Sequence, residues 1–177
     1  MTKTFQITIS GQVQGVGFRP FVCARAHQLH YKGSVCNNEN GVLIYINTSE
    51  EKAKAFLAAI LENAPEVSII QSHSLSEISF REFDDFNIVS SDTNHQINVP
   101  LTPDFAICES CKTEIRDVGN RRFGYAFTTC TNCGPRYAVT TKFPFERANT
   151  TVSAFNMCST CETEYTNPAD RRFHSQT

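Results

Sequence analysis

Apolar and polar residues alternate at the start of the chain. Phe5, Ile7 and Ile9 are separated by polar residues, which predicts a half-buried β-strand, and the glycine-containing stretch after them predicts a loop. The spacing then becomes helical from Pro20 to Leu29. Proline suits a first helical turn, because its missing N–H is not needed there. The chain therefore opens with a strand, a loop and a helix.

The next segment predicts a β-hairpin followed by a second helix. Two strand-like runs, 34–37 and 42–47, flank Asn38–Gly41, whose composition is typical of a tight turn. Helical spacing resumes at Ser49 and continues to about Asn63. One face of this helix is apolar and consists of Ala53, Phe56, Leu57, Ile60 and Leu61.

Two further strand-like segments, around 67–75 and 86–89, complete the first half of the chain. The order β-α-β-β-α-β predicts an α+β fold of the ferredoxin-like kind, with one sheet and two helices on one face. We place this domain at residues 1–91. The polar, proline-closed stretch 92–100 is interpreted as a linker.

Composition and charge narrow the possible functions. The 177 residues are 40% apolar and 19% charged, as in soluble globular proteins. The net charge is −2, with 7 basic against 9 acidic residues in 1–91 and 9 against 8 in 101–177, so nucleic acid is not an expected partner. No apolar run approaches the roughly 20 residues that span a bilayer, so no membrane is expected either. Eight cysteines without a secretory leader favour thiolate chemistry in the cytoplasm.

Four cysteines in the second half have the spacing of a zinc site. Cys108-x-x-Cys111 is followed after 18 residues by Cys130-x-x-Cys133, a spacing typical of four-thiolate sites. Four protein ligands leave no open coordination position, so the predicted Zn²⁺ is structural. We assign residues 101–150 to this first four-cysteine module. Unligated thiols or a redox pair are the alternative.

A third pair, Cys158-x-x-Cys161, predicts half of a second site in a truncated module at 151–177. Several features of the first module recur with an offset of 50 residues, including Thr113-Glu114 as Thr163-Glu164 and Arg121-Arg122-Phe123 as Arg171-Arg172-Phe173. The same offset would place further cysteines at 180 and 183, which predicts that the chain is a fragment. His174 could serve as a makeshift ligand, although its counterpart in the first module is Gly124.

The loop after the first strand is a candidate anion site. Gly15 and Gly17 allow the backbone to approach an anion, and the loop amides stand at a helix N-terminus. Arg19 adds a planar fork suited to phosphate. A glycine turn that merely connects two elements is the alternative from the glycines alone.

The string Gly11-x-Val-Gln-Gly-Val-Gly-Phe-Arg19 resembles the acylphosphatase motif. The resemblance implies that Arg19 is catalytic and binds phosphate, and that Asn37 is catalytic and orients the attacking water. It also implies that phosphate is bound along the loop, by Gln14, Gly15, Val16, Gly17, Phe18 and Arg19. An acyl or carbamoyl phosphate is already activated, so no nucleophilic cysteine is needed. Cys23 and Cys36 are predicted to be buried apolar residues.

The whole chain is similar to the N-terminal part of the HypF-type carbamoyltransferases, which mature [NiFe] hydrogenases. Matching motifs include Thr102-Pro-Asp, Cys133-Gly-Pro-Arg136 and Asp170-Arg-Arg-Phe-His174. The resemblance implies a first domain that hydrolyses carbamoyl phosphate to carbamate and phosphate. It implies that the complete enzyme uses ATP to form carbamoyl-adenylate and carbamoylates the C-terminal cysteine of a HypE-type partner. The ATP-dependent steps would lie in domains beyond this chain, and the fragment should not complete the transfer.

Two other functions remain open from the sequence. A stand-alone acylphosphatase with a zinc-binding tail would share the loop and the cysteines. A nucleic-acid-binding zinc protein could use arginines of the second half as phosphate contacts, namely Arg116, Arg121, Arg122 and Arg136.

Overall fold

The computed structural model describes the chain in four stretches: 3–89, 104–142, 146–167 and 169–175. These residues divide into two units. The first unit holds the described residues 3–14 and 18–89. The second holds 15–17 and the described residues from 104 onward. The predicted linker, 92–100, lies outside the described residues.

The first unit contains five strands and two helices. In chain order they are β1 (Lys3–Gln12), α1 (Phe18–Gln28), β2 (Lys32–Asn38), β3 (Gly41–Thr48), α2 (Glu50–Glu62), β4 (Ile69–Ile78) and β5 (Phe86–Ile88). The predicted α+β fold with the order β-α-β-β-α-β is confirmed, and the short strand β5 follows it.

The strands form one sheet in the order β4-β1-β3-β2-β5. All neighbours are antiparallel except β2 and β5, which run parallel. Helix α1 packs against β2 and β5, while α2 packs against β1, β3 and β4. Apolar residues of β1 lie opposite apolar residues of β3, for example Ile7 opposite Ile44, and both are fully buried. The alternation in the sequence therefore becomes the core of this unit.

Local sequence explains where the helices begin and end. Ser49 caps α2, because its hydroxyl accepts the backbone N–H of Lys52. Asn63 ends the helix, and its side-chain amide donates to the carbonyl of Ala59. Helix α1 begins at Phe18, two residues earlier than Pro20, which lies within the first turn. Among the described residues, no helix is long and apolar enough to cross a bilayer.

The two cysteines of the first unit differ in burial. Cys23 is buried in α1, as predicted. Burial raises the pKa of its thiol to about 11, so it is a poor nucleophile. The prediction of burial is wrong for Cys36, which is half-buried. Val35 and Asn37 point into the core from β2, so strand alternation turns Cys36 to the opposite face.

The second unit has little regular structure. Its helices are α3 (Glu109–Arg116) and α4 (Ser159–Thr166), joined by segments that contain short 3-10 turns and one isolated bridge between Thr140 and Thr150. Its buried cluster consists of Cys111, Cys130 and Cys133, with Ile107 and Cys108 packed against it. This buried cluster thus consists mainly of cysteine side chains.

Candidate phosphate loop and metal centre

A β-bulge at the end of β1 directs the chain into the candidate phosphate loop. The pairing register between β1 and β4 shifts between Ser10 and Gly11. Gly11 has a φ of 124°, and a Cβ at this position would lie 2.2 Å from the carbonyl oxygen of Ile69. Glycine is therefore required here, both for the backbone conformation and for the close approach of β4.

The loop itself has two left-handed glycines. Gly15 has a φ of 71° and Gly17 a φ of 74°, and helix α1 begins immediately afterwards at Phe18. Among the described residues, no backbone carbonyl accepts a hydrogen bond from the N–H groups of 15–18. These amides at a helix N-terminus are therefore available to an anion.

Gln14 ties the start of the loop to the β2–β3 hairpin. Its side-chain amide donates to the carbonyls of Asn38 and Gly41, each at 2.8 Å. The side chain is thereby committed to the hairpin, and its backbone N–H is what the predicted phosphate contact would use. Because Asn38 follows Asn37 directly, this anchor holds Gln14 next to the strand end that carries the second predicted catalytic residue.

Asn37 is a buried polar residue on the core face of β2. It lies opposite Val42 on β3, which in turn lies opposite Ile9 on β1, so the three residues form one row on the core face. Asn37 is 2% exposed, and within the described part of the chain neither its amide oxygen nor its amide nitrogen has a hydrogen-bond partner. Such a group costs roughly 1–3 kcal/mol when left unpaired. A bound water or ligand would give it partners.

Arg19 stands in the first turn of α1 and is half-buried. Since α1 packs against β2, the strand of Asn37, the two predicted catalytic residues belong to neighbouring elements on the same face of the sheet. The side chains of Val16 and Phe18 are buried, so only their backbones could contact a phosphate. The phosphate-binding roles of the loop amides and of Arg19 stay predictions.

The four cysteines of the predicted zinc site lie together. Their sulfur atoms are all within 4.8 Å of one another. The Sγ–Sγ distances are 3.6 Å from Cys108 to Cys130, 3.7 Å from Cys130 to Cys133 and 3.8 Å from Cys133 to Cys111. A tetrahedral ion with Zn–S bonds of ~2.3 Å gives sulfur–sulfur edges of ~3.8 Å. The donor set and its dimensions therefore fit a Zn²⁺ ion.

The two cysteine pairs reach this centre by different local structures. Cys108 precedes the first residue of α3, and Cys111 lies in its first turn. Cys130 and Cys133 lie in a tight turn, in which the N–H of Gly134 donates to the carbonyl of Cys130 at 3.0 Å. Gly134 has a φ of 72°, which favours glycine at the end of this turn.

The surroundings of the sulfurs shift the pKa values of the cysteine thiols in both directions. Nη2 of Arg136 lies 3.3 Å from the sulfur of Cys133, and Nη1 of Arg171 lies 3.1 Å from that of Cys111. The hydrogen bond from Cys130 lowers the pKa of the Cys133 thiol, while the same bond raises the pKa of Cys130. Burial raises the pKa of Cys111, and the hydrogen bond from Arg171 opposes it. A cation is what would hold all four sulfurs as thiolates.

The third cysteine pair lies outside this cluster. Cys158 is exposed and Cys161 is half-buried, and the only group of metal-ligating side chains found among the described residues contains neither. His174 packs against the ring of Tyr165, with centroids 5.0 Å apart, and edge-on against Phe173 at 4.6 Å. The metal-ligand roles of Cys158, Cys161 and His174 stay predictions.

Sequence reasoning missed the ion pairs that six residues of the second unit form. Arg121 and Arg122 bind Glu164, while Arg171 and Arg172 bind Glu114. The signal was present, because both the arginine pair and the glutamate recur at the 50-residue offset. These contacts also weaken the nucleic-acid alternative, because they engage two of the four arginines on which it relied, namely Arg116, Arg121, Arg122 and Arg136. Arg136 donates to the carbonyls of Phe105, Cys133 and Pro135.

Comparison with known families agrees with both halves of the chain. Residues 5–88 match the acylphosphatase family, and residues 107–140 and 157–177 match the HypF finger. The acylphosphatase of Helicobacter hepaticus is 38% identical over 95 residues, which is 50% of this chain and 99% of that protein.

Longer relatives match nearly the whole chain. The carbamoyltransferase HypF of Rhodobacter capsulatus is 39% identical over 174 residues, or 98% of this chain and 23% of that protein. A crystal structure of full-length HypF in the phosphate- and nucleotide-bound form superposes with a TM-score of 0.88 at 42% identity, covering 99% of this chain and 23% of that one. The chain thus spans less than a quarter of the length of these relatives, and corresponds to their N-terminal portion.

Proposed function

This chain belongs to the acylphosphatase family and carries HypF fingers, and from that premise we propose that its first unit binds carbamoyl phosphate and hydrolyses it to carbamate and phosphate. The observation that carries the proposal is Asn37, whose buried amide atoms have no partner among the described residues. The N–H groups of 15–18 also donate to no backbone carbonyl among these residues. A relative at 42% identity, of which this chain covers 23%, has been crystallised in a phosphate- and nucleotide-bound form.

The proposed chemistry needs binding and orientation only. The N–H groups of 15–18 and the guanidinium of Arg19 surround the phosphoryl oxygens and stabilise the charge that builds on them. The amide of Asn37 orients a water molecule towards phosphorus. The water oxygen forms the new P–O bond, and the bridging P–O bond breaks with its electron pair leaving on carbamate. The protons of the water pass to phosphate and solvent, so no co-reactant is required.

The proposed metal ligands are Cys108, Cys111, Cys130 and Cys133, with Zn²⁺ in a structural role. Their distances fit a closed tetrahedral site, which has no free position for a substrate. None of the eight cysteines of the chain forms a disulfide, which supports the proposed cytoplasmic location.

The later steps of the proposed pathway are assigned to the remainder of HypF-type proteins. These steps are ATP-dependent formation of carbamoyl-adenylate and transfer of the carbamoyl group to the C-terminal cysteine of a HypE-type hydrogenase maturation partner. The names of the longer relatives support the carbamoyltransferase role. In this scheme the 177 residues supply carbamate and do not complete the transfer.

Phosphate release from carbamoyl phosphate tests the proposal directly. We expect Arg19→Ala to lower kcat/KM by about 10²- to 10³-fold, the range seen when one donor to a developing oxyanion is removed. Arg25→Ala is the matched control, since Arg25 lies near the other end of the same helix and bonds Gln28. The control should keep normal turnover, and both variants should keep the wild-type circular dichroism spectrum.

The substrate separates this proposal from a stand-alone acylphosphatase. The HypF-type function predicts that carbamoyl phosphate is preferred over acyl phosphates with a bulky acyl group. The opposite preference would favour the stand-alone enzyme. Normal turnover of a folded Arg19→Ala protein would contradict the proposed site.

A further inference from the structure

The two repeats of the second unit have the same local structure. Helices α3 and α4 begin 50 residues apart, each directly after the first cysteine of its pair. The N–H of Gly124 donates to the carbonyl of Ile115, and that of His174 to Tyr165, both at 3.0 Å. Gly124 and His174 both have a left-handed φ, of 68° and 52°. The 50-residue offset in the sequence therefore corresponds to a repeated local structure, in which Gly124 and His174 occupy equivalent positions.

Arginines cross between the repeats and contact cysteine sulfurs. Nη1 of Arg171, from the second repeat, lies 3.1 Å from the sulfur of Cys111 in the first. Nη1 of Arg121, from the first repeat, lies 3.1 Å from the sulfur of Cys161 in the second. The two contacts are equivalent under the offset and have the same length. Because the same arginine–sulfur contact occurs in both directions, it belongs to the structure of the repeat pair and is not an isolated surface contact.

A glutamate fixes each of these arginines. Nη2 of Arg171 lies 2.5 Å from Oε1 of Glu114, and Nη2 of Arg121 lies 2.5 Å from Oε2 of Glu164. In both repeats the glutamate follows the second cysteine by three residues, so it stands one helical turn away on the same face. Each guanidinium is thus held by a carboxylate while another of its nitrogens points at a sulfur.

The second arginine of each pair completes the arrangement. Arg172 binds Glu114, and Arg122 binds Glu164. The carbonyl of Arg171 also accepts hydrogen bonds from the backbone N–H and the hydroxyl of Thr131, at 2.8 and 3.0 Å. Because Thr131 lies between Cys130 and Cys133, Arg171 contacts both halves of the four-cysteine cluster.

We propose that Arg171 is a positioning residue for the four-cysteine metal site, and that Arg121 has the same role for Cys158 and Cys161, so that each repeat supports the thiolates of the other. Four thiolates around one Zn²⁺ carry a net charge of −2, which a guanidinium at 3.1 Å from one sulfur partly offsets. Partners of this kind set the orientation and electron density of metal ligands. The inference rests on the proposed metal site and adds an outer shell to it.

Cobalt substitution of the full chain tests this inference, with one equivalent of Co²⁺ as the probe. We expect Arg171→Ala to move the thiolate-to-cobalt charge-transfer band to lower energy, because the sulfur loses a hydrogen bond and becomes more electron-rich. The visible bands of tetrahedral cobalt should persist. Transfer of the metal to a competing chelator should show affinity reduced by about 10- to 100-fold, as for other outer-shell partners.

Two further variants distinguish a specific effect of Arg171 from general destabilisation. Arg121→Ala is the matched control, since it removes the equivalent contact at Cys161 and should leave the cobalt spectrum of the four-cysteine site unchanged. Arg171→Lys keeps the charge but cannot bind Cys111 and Glu114 in the same fork, so it should recover part of the lost affinity. This variant also serves if the alanine protein does not fold.

The outcomes distinguish this inference from the metal assignment. Wild-type protein that binds no cobalt would overturn the metal assignment and this inference with it. Wild-type binding with unchanged spectrum and affinity in both Arg171 variants would overturn the inference alone. An equal loss in Arg121→Ala would also overturn it, because the effect would then be general destabilisation.

Discussion

The two units of this protein rely on different forces. The core of the first consists of large apolar side chains such as Ile7, Ile44 and Phe56, which are almost completely buried across a sheet and two helices. The buried cluster of the second consists mainly of cysteines. Burial of apolar surface stabilises the first unit, whereas the second buries less of it, so we expect the stability of the second to depend on the proposed ion and on its ion pairs.

The two units also differ in how their buried polar groups are paired. In the first unit a rigid apolar core supports the polar atoms of Asn37, which are buried without a partner among the described residues. In the second unit sulfur is paired with arginine and arginine with glutamate, while Nε of Arg172 and the hydroxyl of Ser175 are buried without a hydrogen-bond partner among the described residues. Asn37 differs in that both polar atoms of its side chain are unpartnered among the described residues, which suits a substrate site.

Metal removal is expected to have the largest effect. Chelation of the metal-loaded chain should abolish the hydrogen-exchange protection of α3, because no ion would then join the four cysteine sulfurs, while the amides of β1 and β3 stay protected. Cys111→Ser should reproduce this loss. Cys36→Ser is its matched control, since Cys36 lies outside the cluster, and should keep the bound metal. Full protection of α3 in metal-free protein would contradict the expectation that only the second unit depends on metal.

A core substitution should act on the first unit only. Ile44 is fully buried on β3, and Ile44→Ala should lower the free energy of unfolding of this unit by about 2–5 kcal/mol. Urea denaturation followed by far-UV circular dichroism measures the change, and metal analysis should show unchanged zinc. Leu43→Ala is the control, because Leu43 is half-buried on the other face of the same strand and should cost less. A parallel loss of zinc would show that the units are not energetically separate.

Asn37→Ala should have the smallest effect on stability and a large one on turnover. No protein hydrogen bond is lost among the described residues, so we expect the free energy of unfolding to change by less than about 1 kcal/mol. Loss of the oriented water should reduce kcat by about 10²-fold. Asn38→Ala, next along the strand, should leave kcat unchanged. Strong destabilisation without loss of kcat would make Asn37 a structural residue.

Much of the first unit was predictable because its alternation is strong. The pattern around Ile7 and Ile9 and the glycine turn before β3 each indicate their element with local signals. The edge strands were harder to place. Strand β4 was expected at 67–75 and is observed at Ile69–Ile78, where exposed residues predominate and apolar alternation is weak. The three residues of β5 carry too little pattern to predict their parallel pairing with β2.

The sequence predicted the two candidate sites to different extents. Cysteine spacing alone predicted the four-sulfur cluster, because ligand spacing is local in sequence. The resemblance to acylphosphatases indicated Asn37, but its lack of hydrogen-bond partners depends on packing that no local pattern records. The repeat predicted that Arg121 and Arg171 are equivalent. The repeat did not predict that each arginine contacts the other repeat. A sequence offset identifies equivalent residues, but it does not say which residues they contact.

The central claim is that phosphate binds at the loop between β1 and α1, beside Asn37. Titration of the isotope-labelled, metal-loaded chain with inorganic phosphate, followed by amide chemical shifts, tests it most directly. The account predicts the largest saturable shifts at the N–H groups of 15–18 and at the side-chain amide of Asn37, and their loss in Arg19→Ala. Shifts confined to the arginines of the second unit, with the loop unchanged, would contradict it.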